Sequence, residues 1–236
     1  AYLKDLVKDN DFFYNVENKV NLGLIGNVTS LLELATGSFV WFVSDDDTLE
    51  KGIVLEVLNI IANNKIEFIL LNFSAGEKIG NCGKKGYIQD SELTALSMFK
   101  ERYGSLVFIT SCVHKRKTLL ELKENPIYKL ISAPLLFSFY SCSKGAIYCT
   151  EKVWVNFREG NASYAGFKSN LKLKFEGYIS ILEYLPTFNY DEKEIYSAIE
   201  SFLKKQSVSH LVYGIYNLKQ SLKLYKYYRL KTFLGI

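Results

Sequence analysis

The most informative stretch of this chain reads Gly37-Ser-Phe-Val-Trp-Phe-Val-Ser-Asp-Asp-Asp-Thr-Leu-Glu-Lys-Gly52. Its apolar run, residues 39–43, leads directly into three consecutive carboxylates, Asp45, Asp46 and Asp47. Because side chains alternate along an extended segment, we expect Asp45 and Asp47 to project to the same side. Two carboxylates held this close repel each other and attract a hard divalent cation such as Mn²⁺ or Mg²⁺. At the carboxyl end of a parallel strand such a cation can hold a diphosphate, so the cluster predicts a metal–phosphate site.

A purely structural interpretation of the same residues stays open. Asp is common in turns, and Asp47-x-x-Glu50 before the apolar run that begins at Ile53 resembles a capping box that starts a helix. One carboxylate would then cap the helix while the other two are solvated. The metal interpretation therefore depends on the sequence around the motif.

That surrounding sequence carries a resemblance to a known family. Asn21-Leu-Gly-x-x-x-Asn27 and Leu31-Leu-Glu-Leu-Ala-Thr-Gly37, followed by Asp-Asp-Asp-Thr-Leu, resemble the middle of a family-2 glycosyltransferase of GT-A fold. Within that family the chain is most similar to the abequosyltransferase-like sugar transferases of bacterial surface polysaccharide assembly. Two later blocks fit the same pattern, Leu106-Val-Phe-Ile-Thr-Ser-Cys112 and Arg158-Glu-Gly-Asn-Ala-Ser-Tyr164. The resemblance covers about residues 12 to 165.

The resemblance implies that a nucleotide-sugar donor binds through a divalent metal. Asp47 would be the direct ligand of Mn²⁺ or Mg²⁺, and Asp45 would bind the metal directly or through water. Asp46 would face the ribose or sugar hydroxyls of the donor. The bound cation would stabilise the charge that develops on the departing phosphate oxygen.

Four further residues receive roles from the resemblance. Asn21, Gly23 and Asn27 fall where the family lets the backbone approach the nucleotide, and Gly23 suits this because it lacks a Cβ. As an alternative, Asn21 and Gly23 merely form a turn. Arg158 matches a family position that contacts phosphate or the acceptor sugar, with a structural ion pair as its alternative.

The catalytic base is left unassigned. Inverting enzymes of this class usually carry a Glu-Asp pair at the start of an acceptor-side helix, and counting back from Lys144-Gly145 places Ala133-Pro134 there. Neither residue can accept a proton. Glu121, Glu124 and Glu151 lie nearby in the sequence, but an acid on a solvated face usually has no catalytic role.

The order of the predicted elements indicates an α/β fold. We expect helices at about 28–35, 49–63, 90–102, 117–124, 127–143 and 191–205, and strands at 39–43, 66–72, 106–110 and 145–150. The resemblance implies a GT-A (Rossmann-like) mixed sheet flanked by helices over residues 1–190. The spacing of apolar residues and the composition predict a helical basic and aromatic tail over 191–236. Family members place a strand–helix–strand unit before the motif, so we expect this GT-A domain to be truncated at the N-terminus.

The composition is that of a globular protein. The chain has 236 residues, of which 48% are hydrophobic, and only three prolines, which suits one domain with or without an appendage. Its four cysteines form no Cys-x-x-Cys pair, which argues against a zinc site and predicts reduced thiols in a cytoplasmic protein. No apolar stretch of the sequence is long enough to cross a bilayer.

The charge is concentrated in the tail. Residues 201–236 contain seven basic and no acidic residues, whereas the first 200 residues contain 22 basic and 25 acidic ones. An apolar stripe within 208–233 runs through Leu211, Ile215, Leu218, Leu222 and Tyr225. Two interpretations stay open: an amphipathic helix on the inner face of the cytoplasmic membrane, or a helix docked on the body with solvated lysines. A nucleic-acid partner is not expected, because no other part of the chain forms a basic binding face.

The sequence thus predicts a metal-dependent glycosyltransferase. It would move a sugar from a nucleotide-sugar donor to a saccharide or lipid-linked saccharide acceptor in cell-surface polysaccharide biosynthesis. Two alternatives stay open, a non-catalytic GT-A-like module that binds a glycan or a partner, and a nucleotidyltransferase of similar fold.

Overall fold

A computed structural model describes residues 14, 16–75, 78–129, 132–157 and 166–233 of the chain. Within these ranges no helix has both the length and the apolar character that a membrane span requires.

All four cysteines are free. Burial raises the pKa of the Cys112 thiol to about 11 and that of Cys149 to about 12, so both stay protonated at neutral pH.

The strands of the described ranges form one mixed sheet. They are β1 (Phe39–Trp41), β2 (Thr48–Leu49), β3 (Phe68–Ala75), β4 (Lys78–Ile79), β5 (Gly86–Ile88), β6 (Cys112–Lys115) and β7 (Ile147–Asn156). Their spatial order is β1-β6-β3-β7-β2, with β4 paired to β3 and β5 paired to β7. β3 and β7 are parallel, and the other pairs are antiparallel.

Helices cover both faces of this sheet. They are α1 (Gly23–Leu34), α2 (Ile53–Asn63), α3 (Ser91–Arg102), α4 (Arg116–Lys123), α5 (Ala133–Cys142), α6 (Phe167–Lys172), α7 (Ile179–Tyr184), α8 (Glu192–Lys205), α9 (Ser207–Tyr216) and α10 (Leu218–Phe233). A π-helical turn, Leu173–Tyr178, joins α6 to α7 without a break. The expected α/β class is confirmed, and the described residues after 190 are mainly helical.

The centre of the fold is β3, whose side chains are buried on both faces of the sheet. Phe68 and Leu70 pack into one core, while Ile69 and Leu71 pack into a second core on the opposite face. Such a continuous apolar run is typical of a strand covered by helices on both sides. β3 pairs parallel with β7 and antiparallel with β6 and β4.

Two of the predicted strands are wrong in part. The run 39–43 forms only the short β1, which lies at one end of the strand order and pairs antiparallel with β6, so the acidic loop does not follow a parallel strand. Residues 106–110 are not a strand. Two 3₁₀ turns, Tyr103–Leu106 and Ile109–Ser111, flank Val107 and Phe108, and the strand begins only at Cys112.

Only one side of α2 is covered. Its buried residues are Ile53, Val57 and Ile60, whereas Val54 and Leu58 are exposed. Because this helix is apolar on nearly all sides, periodicity alone does not fix which stripe contacts the sheet.

His114 on β6 is fully buried and neutral. Its ring stacks on Phe68 with centroids 4.8 Å apart, and its Nδ1 lies 3.0 Å from the Ser141 hydroxyl. Desolvation lowers the pKa of His114 from its ordinary 6.5 to about 3. The unfolded chain therefore binds a proton below pH 6.5 that the folded chain excludes, and stability is lost as the pH falls from 6.5 towards 3.

We predict that His114→Gln, which does not titrate, flattens this acid dependence. Between pH 7 and pH 4.5 the wild-type protein should lose about 2 to 3 kcal/mol more free energy of unfolding than the variant, since each pKa unit corresponds to about 1.4 kcal/mol. Urea unfolding at the two pH values measures this difference. Equal losses in both proteins would contradict the assignment of His114 as a buried neutral group.

Candidate functional site

The three consecutive carboxylates lie in the loop that joins β1 to β2. Asp45 and Asp46 form a turn rather than an extended segment, so the alternation expected for Asp45 and Asp47 does not apply. Asp45 is exposed, whereas Asp46 and Asp47 are half-buried. The turn is the local structure that consecutive Asp residues favour.

Thr110 holds this loop against the sheet. Its buried hydroxyl accepts a hydrogen bond from the Ser44 amide at 3.1 Å and donates one to Oδ2 of Asp47 at 2.5 Å. The Ser44 hydroxyl in turn donates to Asp46. From β1, the Trp41 indole N–H donates to the Thr110 carbonyl at 2.8 Å. Two of the three carboxylates are therefore fixed by hydroxyl donors, as an oriented ligand set requires.

The capping-box interpretation of Asp47 and Glu50 is wrong. Asp47 leads into β2, which pairs with β7, and α2 begins only at Ile53 with Gly52 as its N-cap at φ +89°. Glu50 instead accepts a hydrogen bond from the Asn156 side chain at 2.9 Å. A left-handed N-cap suits glycine, so the local sequence delays the helix start beyond the acidic loop.

The segment around Asn21 begins α1, five residues earlier than the predicted start at residue 28. The Asn21 side chain accepts a hydrogen bond from the Gly23 amide at 2.8 Å, which is the turn expected as the alternative for this pair. Gly23 has φ +67°, and a Cβ built there would meet no atom within 4 Å. Glycine is therefore required for its backbone conformation and not to avoid a contact within the chain.

A cleft of about 580 Å³ lies between α1, β1 and the start of the acidic loop. Its lining residues are Leu24, Asn27, Val28, Leu31, Ala35, Phe39, Val40, Trp41, Phe42, Val43, Ser44 and Ile109. Asn27 is exposed in this cleft and accepts a hydrogen bond from Asn18 at 3.0 Å. Ser44 lines the cleft and contacts Asp46, so the structure brings Asn27 and the acidic loop to the same depression.

The donor set of the loop suits a divalent cation only in part. Over the described residues no group of three or more His, Cys, Asp or Glu side chains is placed to hold a metal ion. Mg²⁺ in phosphate-handling sites is often bound by one or two carboxylates, with the remaining ligands supplied by substrate phosphates and water. Asp45 and Asp47 offer hard oxygen ligands within one short loop, and their use by a metal ion stays a prediction.

Four further residues were expected to bear on catalysis. Arg158 falls outside the described residues. Ala133 and Pro134, at the position where the family carries its acidic pair, are buried at the start of α5. Glu151 pairs with Lys85 at 3.0 Å on a solvated surface. No acidic residue is thereby identified as the catalytic base.

Comparisons with known proteins lead to glycosyltransferases. No family model matches the chain. The chain is 26% identical over 225 residues to the GalNAc(5)-diNAcBac-PP-undecaprenol beta-1,3-glucosyltransferase of Campylobacter jejuni, covering 93% of this chain and 69% of that protein. Among solved structures, S. aureus TarS 1–349 in complex with UDP-GlcNAc superposes with a TM-score of 0.55 at 17% identity, over 83% of this chain and 58% of TarS.

The chain has the GT-A fold of TarS. A second TarS 1–349 structure gives a TM-score of 0.52 at 15% identity and covers 77% of this chain and 50% of that one. The chain therefore spans between half and three fifths of the TarS chains it matches. The expected enzyme class agrees with the name of the sequence relative, while the abequosyltransferase-like subgroup stays a prediction.

Thr110 is a site residue that the sequence pattern does not reveal. The block Leu106–Cys112 is only a weak part of the family resemblance, and its apolar start predicts a strand instead of a loop contact. The sequence feature that could have indicated Thr110 is its hydroxyl group, which lies shortly before β6, the strand that pairs with β1. Only the pairing of those two strands brings Thr110 to the acidic loop.

We predict that Thr110→Val destabilises the protein by about 1 to 2 kcal/mol, because the Ser44 amide and the Asp47 carboxylate each lose a hydrogen-bond partner. Thr110→Ser keeps the hydroxyl and should cost less. Urea unfolding measures the loss, and hydrogen exchange at the Ser44 amide should accelerate in the valine variant alone. Identical behaviour of the two variants would show that the hydroxyl does not fix the loop.

Proposed function

We propose that this chain is a metal-dependent glycosyltransferase that takes its sugar from a nucleotide-sugar donor. The observation that carries the proposal is the acidic loop, which Thr110 holds beside a cleft. The fold that contains this loop is shared with TarS, whose structure contains UDP-GlcNAc. The sequence relative, named as a glucosyltransferase, supports the same reaction class.

In this proposal Asp47 and Asp45 hold Mn²⁺ or Mg²⁺ together with the donor diphosphate. The cation supplies charge neutralisation at the phosphate oxygen that leaves the anomeric carbon. Thr110 positions Asp47 through its hydroxyl, and Ser44 orients Asp46 towards the donor hydroxyls. A pre-positioned carboxylate avoids reorganisation when the donor binds.

The cleft would receive the nucleoside part of the donor. Its walls are mainly apolar, and Asn27 offers an amide at one side, a combination typical of small-molecule sites. Asn21 and Gly23 shape the chain just before α1 and would border the nucleotide. Arg158 stays a proposed contact to phosphate or to the acceptor.

The proposed acceptor is a saccharide or lipid-linked saccharide in cell-surface glycan assembly. The C. jejuni relative is named for transfer to an undecaprenol-diphosphate-linked saccharide, which supports this class. A cytoplasmic location at the inner face of the cytoplasmic membrane belongs to the proposal as well. A lipid-linked acceptor would meet the enzyme at that membrane surface.

We predict that Asp47→Asn weakens Mn²⁺-dependent binding of the nucleoside diphosphate by about tenfold to a hundredfold, since interactions with a charged group contribute about 1.5 to 3 kcal/mol. Asp45→Asn should have a smaller effect if it binds through water. Isothermal calorimetry with UDP, GDP, CDP and dTDP, each with and without MnCl₂, measures the loss and identifies the base.

Asp90→Asn is the matched control, because Asp90 is exposed and its side chain makes no capping hydrogen bond to α3. It should bind as the wild-type chain does. The proposal fails if none of the four diphosphates shows Mn²⁺-dependent binding, or if Asp90→Asn weakens binding as much as Asp47→Asn.

The buried Ala133-Pro134 pair favours one second candidate, a non-catalytic module that binds a nucleotide sugar or glycan. Neither side chain can accept a proton from an acceptor hydroxyl, and both are buried. Release of nucleoside diphosphate from nucleotide sugars separates the two candidates. Donor binding without turnover, in the presence of saccharide acceptors, would favour the module.

A further inference from the structure

The last two helices carry apolar side chains on the side that faces away from the body. We call this the outer apolar face. It comprises Val208, Leu211 and Ile215 on α9, and Leu218, Leu222 and Tyr225 on α10, which are between 47% and 82% exposed. Spacings of three and four residues place each set along one side of its helix.

Contacts on the opposite side of α9 explain this orientation. Tyr213 is buried against Phe175 with ring centroids 5.1 Å apart, and His210 packs on the same ring at 5.2 Å. The Tyr213 hydroxyl donates to Glu176 at 2.7 Å, so its polar atom is satisfied. The docked side of α9 is therefore aromatic with hydrogen bonds, and the aliphatic side is left outward.

α10 docks in the same manner. Leu224 and Tyr227 are buried, the Tyr227 ring lies 5.6 Å from that of Tyr196, and its hydroxyl donates to Glu183. The two helices also pack on each other, since the Ser221 hydroxyl lies 3.1 Å from Nε2 of His210. Together they form one surface element with its aliphatic residues turned to solvent.

The charge of the outer apolar face has one sign. Residues 207–233 contain no Asp or Glu, and Lys219 and Lys223 are exposed on α10. On the adjacent α6, Lys168 lies over the exposed ring of Tyr216 with its Nζ 4.9 Å from the centroid. Apolar residues bordered by lysines and tyrosines fit the boundary between lipid headgroups and acyl chains.

A second exposed apolar set lies on α2 and serves as a contrast. Val54, Leu55 and Leu58 are exposed to a similar extent, between 56% and 64%. Their helix carries Glu56 and no basic residue. Exposure alone is thus common to both surfaces, while the basic border distinguishes the outer apolar face.

We propose that the outer apolar face binds the surface of an anionic phospholipid bilayer. Val208, Leu211, Ile215 and Leu222 would enter the headgroup boundary, and the lysines would contact anionic headgroups. The positive charge favours an anionic bilayer over a second copy of this chain, because two copies would bring like charges together at the same face. The proposal does not rest on the proposed function, since binding to lipid needs neither donor nor turnover.

Co-sedimentation of the full chain with lipid vesicles tests this. We expect binding to vesicles containing about 30% phosphatidylglycerol and weak binding to neutral phosphatidylcholine vesicles. The triple variant Leu211→Ser, Ile215→Ser and Leu222→Ser should lose at least about tenfold in affinity while keeping its net charge. Lys219→Gln with Lys223→Gln should lose about fivefold per lysine at low salt, and less at high salt.

The matched control is Val54→Ser, Leu55→Ser and Leu58→Ser on α2, which removes equally exposed apolar residues and should bind vesicles as the wild-type chain does. Circular dichroism establishes that each variant is folded. The proposal is overturned if the wild-type chain does not bind anionic vesicles, or if the α9–α10 variant binds as well as the control. It is also overturned if light scattering shows a dimer of the wild-type chain that the α9–α10 variant does not form and that anionic vesicles do not dissociate.

Discussion

The connection between β1 and β2 is the constraint on which the candidate site depends. These strands stand at opposite ends of the strand order, so the chain from Trp41 to Thr48 passes the ends of three strands. In a flat sheet the two would be about 19 Å apart, whereas a connection of this length reaches at most about 25 Å when fully extended. Because Asp45 and Asp46 form a turn, the connection has little slack and the sheet must curl beneath it. Thr110 then fixes the loop from the segment that leads into β6, the strand next to β1.

The α/β class, and turns at Asn21 and at the consecutive Asp residues, could be predicted from the sequence, because these signals are local. The geometry of the site could not. The expectation that Asp45 and Asp47 alternate assumes an extended chain, and the capping-box alternative assumes that α2 starts directly after Asp47. Both assumptions fail for one reason, since the pairing of Thr48 and Leu49 with β7 is a contact between residues about a hundred positions apart. No local pattern encodes such a pairing.

Helix phase is the other property that local reasoning does not supply. Periodicity correctly groups apolar residues along one side of the tail, but all five members of that stripe, Leu211, Ile215, Leu218, Leu222 and Tyr225, face solvent. In α2 the sheet selects Ile53, Val57 and Ile60 from a helix that is apolar almost all round. The sequence determines how apolar residues are distributed around a helix, whereas the packing partner determines which of them are covered.

In the tail the choice of docked side follows from hydrogen bonding. Tyr213 and Tyr227 bury large rings and also place their hydroxyls on Glu176 and Glu183, so they provide apolar area without an unsatisfied polar atom. Burial and the neighbouring carboxylate raise the pKa of each phenol, which keeps both hydroxyls protonated as donors at neutral pH. Because the tyrosines face the body, the aliphatic residues of α9 and α10 face outward. Their exposure to water is unfavourable. A surface of that composition, bordered by lysines, is more consistent with a lipid partner than with solvent.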